Sequence, residues 1–401
     1  MPSLLDNLDD DLLAEILCRL VDVNFTVRCK LVCRRWCSLI STHNFERRFQ
    51  DQYYANTPTP TVLFGFIANY PNPNSNSEWQ LKTASQHQVL KSCHFKSHHQ
   101  LTSIGIVASY KEVLLCRSMM TRSDDDDDQR IYYVFNPRTW LWVALPPFPK
   151  QRLSKRVLVG FVCEGHNFRV VRILEELINS NIMTVEIFDS ETNQWREHSC
   201  LVSRPISFNF KYPFTFERFP LQQRVFGWNG ILHWFTKENC LVAYDPYNPE
   251  QCHLIDVPLV DDDVYHRTYH LGMCQGALRL VRLRWVPKYT VNPHTYALQF
   301  SAWKLGDYKK GDWESTNNGV VSMTVRPGTD GLLSRARVSP DPNHEDIVYL
   351  MFCRQISCCN LKTQTWNLVD VSLHVRNSPD VFQFFQLIFP PWPTTIHITP
   401  K

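Results

Sequence analysis

Residue types that bind metals or catalyse reactions cluster at two places in the sequence. Cys93, His94, His98 and His99 are close together, and Cys and His are the usual zinc ligands. A second pair at the spacing of a structural zinc site is missing, so we expect no metal there. Asp124 to Asp128 are five consecutive carboxylates that could attract a cation or a basic peptide, but a run of like charge is more typical of a solvated loop.

Motifs of the common enzyme classes are absent from the sequence. It contains no glycine-rich phosphate loop, no nucleophile elbow, no His-Glu-x-x-His and no dinucleotide fingerprint. We therefore expect a non-catalytic protein without a cofactor. An enzyme with polar groups converging on the inner strands of its β domain is an alternative, although no such set stands out.

The first fifty residues favour short amphipathic helices. Five aliphatic side chains fall on one stripe of a first helix: Leu12, Leu13, Ile16, Leu17 and Leu20. The acidic residues Asp9 to Asp11 precede this stripe, where one of them can cap free backbone amides and the others face the positive end of the helix dipole. So small a helical unit rarely buries enough surface to be stable alone, so a partner or the rest of the chain is expected to cover it.

A second helical pattern follows, with Thr26 as a possible cap. Its apolar positions recur at steps of three and four: Cys29, Val32, Cys33, Trp36, Cys37 and Ile40. The cysteines in this series are interpreted as packed core. Residues 1–22 are mainly acidic and 23–50 mainly basic, which should draw the two segments together modestly. Phe45, Phe49 and Tyr53 could close a small helical cluster.

Composition sets the broad class of the protein. The 401 residues exceed one ordinary core, and 44% hydrophobic with 20% charged residues is typical of globular proteins. The net charge of +3 comes from scattered basic residues, so no nucleic-acid partner is implied. No apolar run is long enough for a membrane span, and the start is unlike a secretory signal. We expect a protein of the nucleus, the cytoplasm or both, with most of its 14 cysteines as free thiols.

The region after residue 57 is periodic. A pattern of Asn or Asp, then Thr, then Trp begins at Asn136, Asp189 and Asn360, and eroded copies lie near Tyr244 and Trp303. The pattern indicates a tight hairpin in which the Asp or Asn bonds backbone amides ahead of it and the Trp packs between sheets. Five four-strand units are drawn at 101–146, 156–199, 224–258, 269–318 and 332–372. A sixth, built from both ends of the region, would close the ring of a β-propeller.

Two segments resemble known families. Residues 4–48 resemble the F-box of plant F-box proteins, with Asp9 and Val21 where the family has prolines. The resemblance implies binding to a Skp-type adaptor, and through it to a cullin scaffold, by these residues: Leu8, Asp9, Leu12, Leu13, Ile16, Leu17, Val32, Cys33 and Trp36. The long region resembles kelch-like, F-box-associated propellers, through motifs such as Asn229-Gly230-x-Leu232-His233-Trp234.

The predicted protein is thus an α+β multidomain chain: a small three-helix F-box at 1–50, a linker at 51–60, and an all-β propeller at 61–398 with six blades, or seven. By resemblance it is the substrate-recognition subunit of an SCF-type (Skp-cullin-F-box) ubiquitin ligase, and the propeller binds an unknown target protein. The alternatives are a propeller interaction or sensor module whose degenerate F-box recruits no ligase, and a helical segment that merely caps the larger domain.

Overall fold

A computed structural model describes the backbone of most of the chain. The described residues are 8–20, 23–56, 63–70, 78–84, 93–95, 104–118, 131–137, 139, 141–148, 157–164, 167–174, 180–207, 225–236, 238–250, 252–258, 267–287, 295–324, 336–352, 355–370, 383–390, 392–394 and 396. His98, His99, Val21 and Asp124 to Asp128 lie outside them, as do the side chains of Cys93 and His94.

The N-terminal region forms four helices, so the expectation of three is wrong. They are α1 (Asp10–Cys18), α2 (Val23–Arg28), α3 (Arg34–Ile40) and α4 (His43–Asn56), with a 3-10 turn at Cys29–Leu31. The predicted second helix is divided because Cys33 has an extended backbone, with φ −160° and ψ 169°. Thr26 is buried inside α2 and begins no helix.

The helices pack around a small apolar core. Leu13 and Leu17 of α1 meet Ile40 of α3 and Phe45 and Phe49 of α4. The predicted closing role of Phe45 and Phe49 is confirmed, whereas the side chain of Tyr53 lies outside the described part of the chain. Apolar residues spaced four apart on α1 and on α4 lie on one face of each helix, which explains why these side chains face one another.

Strands make up the rest of the described chain. Blade 1 consists of β4 (Ile104–Tyr110), β5 (Val113–Ser118), β6 (Tyr132–Asn136) and β7 (Leu141–Ala144). Blade 2 consists of β8 (Val157–Glu164), β9 (Asn167–Leu174), β10 (Ser180–Asp189) and β11 (Gln194–Ile206). Blade 3 consists of β12 (Val225–Trp228), β13 (Ile231–Phe235), β14 (Cys240–Tyr244) and β15 (Cys252–Asp256).

Two further blades and one composite sheet follow. Blade 4 consists of β16 (Arg267–Cys274), β17 (Ala277–Pro287), β18 (Thr295–Asp307) and β19 (Asp312–Thr324). Blade 5 consists of β20 (Arg337–Pro340), β21 (Ile347–Phe352), β22 (Gln355–Asn360) and β23 (Thr365–Asp370). The closing sheet has the order β24 (Gln383–Phe389), β1 (Leu63–Tyr70), β2 (Glu78–Ala84) and β3 (Cys93–Phe95).

The five blades coincide with the five units drawn from the sequence. Each is made of four consecutive strands, whereas the closing sheet joins the last strand to the first three. Within the described residues the strands form no seventh sheet, so the seven-bladed alternative is wrong. All pairings are antiparallel, which short hairpins within each unit permit.

The hairpin chemistry predicted from the repeats is present. Asp189 Oδ1 accepts from the amide of Glu191 at 2.9 Å, and Asn360 Oδ1 accepts from the amides of Lys362 and Thr363 at 3.0 Å each. Trp195 lies between blades 1 and 2, where its Nε1 donates to the carbonyl oxygen of Pro146 at 3.0 Å. Asp189 and Asn360 therefore shape their turns, and Trp195 fastens blade 2 to blade 1. Trp366 is instead 38% exposed on the outer strand of blade 5, so the expected packing between sheets is wrong for this copy.

The first strand of each blade lies nearest the ring centre. Neighbouring inner strands contact one another from β24 through β4, β8, β12 and β16 to β20, and Gln386 Nε2 donates to the carbonyl oxygen of Pro340 at 3.1 Å to complete the circuit. Tyr110 fills part of the centre: its hydroxyl accepts from the Gly230 amide at 3.0 Å, and a Cβ on Gly227 would lie 2.5 Å from its ring. Gly227 is therefore a position of close approach.

The start of β1 and the end of β24 lie on the same side of the ring. β1 begins at Leu63, which pairs with Phe389 at the end of β24, so the chain enters and leaves the closing sheet at this point. We call this the helix side and the opposite one the far side. The first strand of each blade runs from the far side to the helix side. Because neighbouring strands are antiparallel, the connections that follow along the chain lie alternately on the helix side and on the far side.

Candidate functional site

The helical module exposes apolar side chains that its own core does not need. Leu12 is 53% exposed and Ile16 46%, both on the outer face of α1. Val32, before α3, is 62% exposed. The helical core is formed by other side chains, including the buried Leu13, Leu17 and Ile40, so the exposure of these residues indicates a surface for a partner. We call Leu12, Ile16 and Val32, with Phe25 and Leu31, the apolar face.

The structure divides the predicted adaptor-facing residues into two groups. Leu13 and Leu17 are almost fully buried in the helical core, where they support the apolar face from below. Their part in adaptor binding stays a prediction. Asp9 is exposed, and Leu8 is half-buried. Cys33 and Cys37 are also exposed, so their interpretation as packed core is wrong, whereas Cys29 is half-buried against the core. Trp36 is half-buried and packs against the core.

Two exposed residues of the apolar face are missing from the sequence-based set. Phe25 is 62% exposed and Leu31 is 87% exposed. Leu31 lies in the 3-10 turn, where the change of backbone direction turns it away from the core. A continuous second helix assigns neither residue to its apolar stripe. The sequence pattern does not reveal this turn, because the turn depends on the extended backbone of Cys33.

Asp9 begins α1. Its Oδ1 accepts a hydrogen bond from the Leu12 amide at 2.7 Å, which satisfies a free amide of the first turn. The predicted cap is confirmed, and it is the residue that replaces the proline of the F-box pattern. The start of the helix that carries Leu12 and Ile16 is therefore well formed without that proline.

Ion pairs connect the acidic first helix with basic residues later in the module. Arg35 Nε contacts Asp10 at 2.8 Å, and Arg48 contacts Glu15 at 3.2 Å. Glu15 also pairs with Arg19 at 2.8 Å, and hydrogen bonds from Arg19 and then Arg48 lower the pKa of its carboxyl group. The attraction predicted from the uneven charge distribution is confirmed, although exposed pairs of this kind contribute little individually.

A tryptophan from the far end of the chain completes the helical core. Trp392, which follows β24, is 4% exposed and packs edge-on against Phe45 and Phe49, with ring centroids 5.7 and 5.1 Å away. The Lys30 Nζ atom is 6.0 Å from the Trp392 ring centroid. Burial against this apolar cluster lowers the pKa of Lys30. The helical module and the ring therefore share a core residue.

The segment after Trp392 is fastened to blade 1. The Thr394 amide donates to Glu112 Oε1, and Asn136 Nδ2 donates to the Thr394 carbonyl oxygen at 2.7 Å. Ile396 is buried in the large core shared by blades 1 to 3. We call residues 392–394 and Ile396 the clamp. It holds the helices on the helix side of the ring while leaving the apolar face open.

In the described residues, no three His, Cys, Asp or Glu side chains form a group that could hold a metal ion. No helix in the described part of the chain is long and apolar enough to cross a membrane.

Comparisons with known families agree with this architecture. Residues 5–48 match the F-box domain, and residues 77–386 match the family described as "F-box protein At3g26010-like, beta-propeller". The chain is therefore an F-box protein with a C-terminal β-propeller. Because the second match covers more than half of the chain, the protein belongs to the F-box protein At3g26010-like β-propeller family. No curated protein shows significant similarity to the chain.

Solved structures resemble the chain only weakly. A mutant of AofleA from Arthrobotrys oligospora is 12% identical, with 66% of this chain and 72% of that one covered and a TM-score of 0.34. Apo AztD from Citrobacter koseri is 9% identical, with 82% and 98% covered and a TM-score of 0.34. The GH93 alpha-L-arabinofuranosidase of Fusarium graminearum, in complex with arabinobiose, is 9% identical, with 71% and 79% covered and a TM-score of 0.36. Similarity at this level supports no inference about function.

Proposed function

We propose that the protein is the substrate-recognition subunit of an SCF-type ubiquitin ligase. Its F-box binds a Skp-type adaptor, which joins it to a cullin scaffold, and its propeller binds a target protein for ubiquitination. The protein itself is non-catalytic: it supplies proximity and orientation, and the transfer chemistry occurs on other subunits. It acts in the nucleus, the cytoplasm or both.

The single observation that carries the proposal is the open apolar face on a module whose core is already complete. Trp392 occupies the inner side of the helical core, so the chain has used its own means of covering that side. Leu12 and Val32 remain more than half exposed on the outside. Burying such side chains in a partner is worth about 1.5–3 kcal/mol each. Because residues 5–48 match the F-box domain, we infer that this partner is a Skp-type adaptor.

The alternative of a degenerate F-box rested on the two missing prolines. The Asp9 side chain caps α1 and keeps the presentation of Leu12 intact, which weakens the argument from the first proline. The alternative of a mere helical cap is weakened because the apolar face points away from the shared core with Trp392. Both observations support adaptor binding.

Strand ends indicate where a target would bind. On the helix side, successive strands are joined by short turns such as 111–112, 229–230 and 275–276. The strand ends on the far side are those joined by the longest connections in the sequence: 119–131, 145–156, 207–224, 257–266, 325–336 and 371–382. Long connections on a rigid scaffold commonly carry recognition. We place the target on the far side, away from the adaptor.

Adaptor binding is tested with full-length protein and a purified Skp-type adaptor. The variant Leu12→Asp/Val32→Asp puts two charges into the apolar face without touching the buried core. We expect its affinity to fall about 100-fold or more, because each charge opposes burial of an apolar site. The measurement is a titration by calorimetry, with circular dichroism as the check on folding.

The matched control is Leu201→Asp, on the outer strand of blade 2, where the side chain is 76% exposed. It adds the same chemistry to an apolar position outside the F-box, and its affinity should equal that of the unchanged protein. Equal binding by the double variant would remove the apolar face from the interface. Failure of the unchanged protein to bind any Skp-type adaptor would favour the interaction or sensor module.

A further inference from the structure

Blades 3 and 4 pack against each other through one apolar cluster, and we call this contact region the seam. Blade 4 contributes Tyr269 and Leu271 of β16 and Leu280 of β17, and blade 3 contributes Phe235 of β13. The ring centroids of Tyr269 and Phe235 lie 6.4 Å apart. So apolar a region is a costly place for a charge that nothing balances.

One arginine of blade 4 nevertheless faces the seam. Arg282 is two residues from Leu280 along β17, so both side chains lie on the same face of the sheet, and Arg282 is only 2% exposed. Its Nη2 donates to the hydroxyl oxygen of Ser301 at 3.2 Å, whereas its buried Nε has no hydrogen-bond partner among the described residues. In the described part of the chain no carboxylate forms an ion pair with Arg282, whereas the buried Arg172 has Glu186 at 3.7 Å.

Two hydroxyl groups lie on either side of this guanidinium group. Tyr269 is directly opposite Arg282 in the pairing of β16 with β17, and Ser301 is directly opposite it in the pairing of β17 with β18. Residues paired in this way project from the same face of a sheet. The Tyr269 hydroxyl is buried and, within the described ranges, has no hydrogen-bond partner. Three neighbouring strands therefore bring one positive charge and two hydroxyl groups together.

We propose that Arg282, Tyr269 and Ser301 form a binding site for a phosphate group. Burial of a guanidinium group without a carboxylate partner costs free energy, and a bound anion supplies the missing charge. The N–H groups of an arginine match two phosphate oxygens, and the hydroxyl groups on both sides donate to the remaining oxygens. A carboxylate has only two oxygens, both in one plane, so a tetrahedral anion fits donors from three strands better.

The site lies close to the far side of the ring. β16 begins there at Arg267, and Tyr269 is two residues further along, about 7 Å at the rise of a β-strand. Tyr269 is partly exposed, so the site borders on solvent. A free phosphate ion and a phosphorylated side chain can both cover this distance. If the phosphate belongs to the target protein, that part of the proposal rests on the proposed function.

Phosphate binding is tested on the full-length protein without adaptor. Calorimetric titration with inorganic phosphate at constant ionic strength should show saturable binding. The midpoint of thermal unfolding should rise with phosphate concentration, because the anion binds the folded chain and not the unfolded one. Chloride at the same ionic strength should raise the midpoint less. The proposal is overturned if phosphate neither binds nor raises the midpoint more than chloride does.

Variants locate the binding in the seam. Arg282→Met removes the charge and should weaken phosphate binding about 10-fold or more, and Tyr269→Phe removes one hydroxyl donor and should weaken it about 5-fold. Arg196→Gln changes an exposed arginine on the outer strand of blade 2 and is the matched control, with unchanged affinity expected. Equal affinity in all three variants would overturn the proposal.

Folding of the variants is checked in buffer without phosphate. Arg282→Met should unfold at the same temperature as the unchanged protein or at a higher one, because the variant no longer buries an unbalanced charge. Tyr269→Phe keeps the ring that packs on Phe235 and should also stay folded. A much lower midpoint for Arg282→Met would show that the charge is already balanced within the chain, which would overturn the proposal.

A second titration identifies the source of the phosphate. A short glycine-rich peptide with one phosphoserine is compared with inorganic phosphate and with the same peptide carrying serine. Tighter binding of the phosphopeptide than of inorganic phosphate would support a phosphorylated target, and the reverse would support a free ion. Equal binding of the two peptides, with none of inorganic phosphate, would overturn the site. Because these titrations contain no adaptor, their failure and a failure of adaptor binding are distinguishable.

Discussion

The shared core residue Trp392 makes the stability of the F-box depend on the C-terminal end of the chain. Trp392→Ala removes an indole ring that is 4% exposed and contacts Phe45 and Phe49 at centroid distances of 5.7 and 5.1 Å. Truncation of a buried tryptophan costs about 3–5 kcal/mol, including the cavity left behind. A helical unit of this size has little stability to spare.

Hydrogen exchange measured by mass spectrometry can locate the loss. At about 1.4 kcal/mol per tenfold change, the free energy of F-box opening should fall enough to speed exchange of the α1 and α4 amides by roughly 100-fold to 1000-fold. Exchange in the inner strands β8 and β12 should stay unchanged, because their cores lie in blades 2 and 3. Adaptor affinity should weaken with the loss of folded F-box.

Trp366→Ala is the matched control for this prediction. This tryptophan is 38% exposed on the outer strand of blade 5, so its truncation should leave α1 and α4 exchange unaltered. Two results would refute the reasoning: F-box exchange that rises less than tenfold in Trp392→Ala, or equal acceleration in the F-box and the blades. The first would mean that the clamp contributes no stability, and the second that the chain unfolds as one unit.

Three smaller predictions concern the fold. Asp9→Ala removes the cap on the Leu12 amide and should lower F-box stability by about 1 kcal/mol, seen as faster exchange in the first turn of α1; unchanged exchange would contradict it. Gly227→Ala places a methyl group 2.5 Å from the Tyr110 ring and should destabilise the propeller by about 1–3 kcal/mol in urea unfolding, and full retention of stability would show that the ring centre adapts freely. Burial lowers the pKa of His233 to about 4 in the folded protein, below its ordinary value near 6.5. As the pH drops from 6.5 to 4, the imidazole takes up a proton in the unfolded chain before it does so in the folded protein, so the free energy of unfolding should fall by about 3 kcal/mol. A His233→Asn variant should show a smaller fall over the same pH range, and an equal fall would assign the effect to other groups.

Much of the propeller could be predicted from the sequence because its signals are local. Asp189 and Asn360 bond amides two or three residues ahead, and that spacing is visible in the sequence. Trp195 follows at a fixed distance and packs between blades. Such a unit repeats with a period, so copies reinforce one another even where single motifs have eroded.

The F-box was predicted less completely, since its surface depends on where one helix ends. The periodicity of apolar residues predicts one helix that continues through Cys29 and Cys33. In the structure the backbone is extended at Cys33, and Leu31 is exposed. The same periodicity cannot separate a buried stripe from an exposed one on α1, so Leu13 and Ile16 received the same role although they lie on different faces. The contact of Trp392 is beyond sequence reasoning because hundreds of residues separate it from Phe45.

Closure of the ring by its first and last strands has a consequence for biosynthesis. During synthesis, strand β1 must wait for β24 as its neighbour, and the F-box, which is made before the propeller, must wait for Trp392. A polypeptide cut short by a premature stop codon loses the ring closure and the indole ring together. Under the proposed function, such incomplete translation products would compete poorly with finished copies for the adaptor.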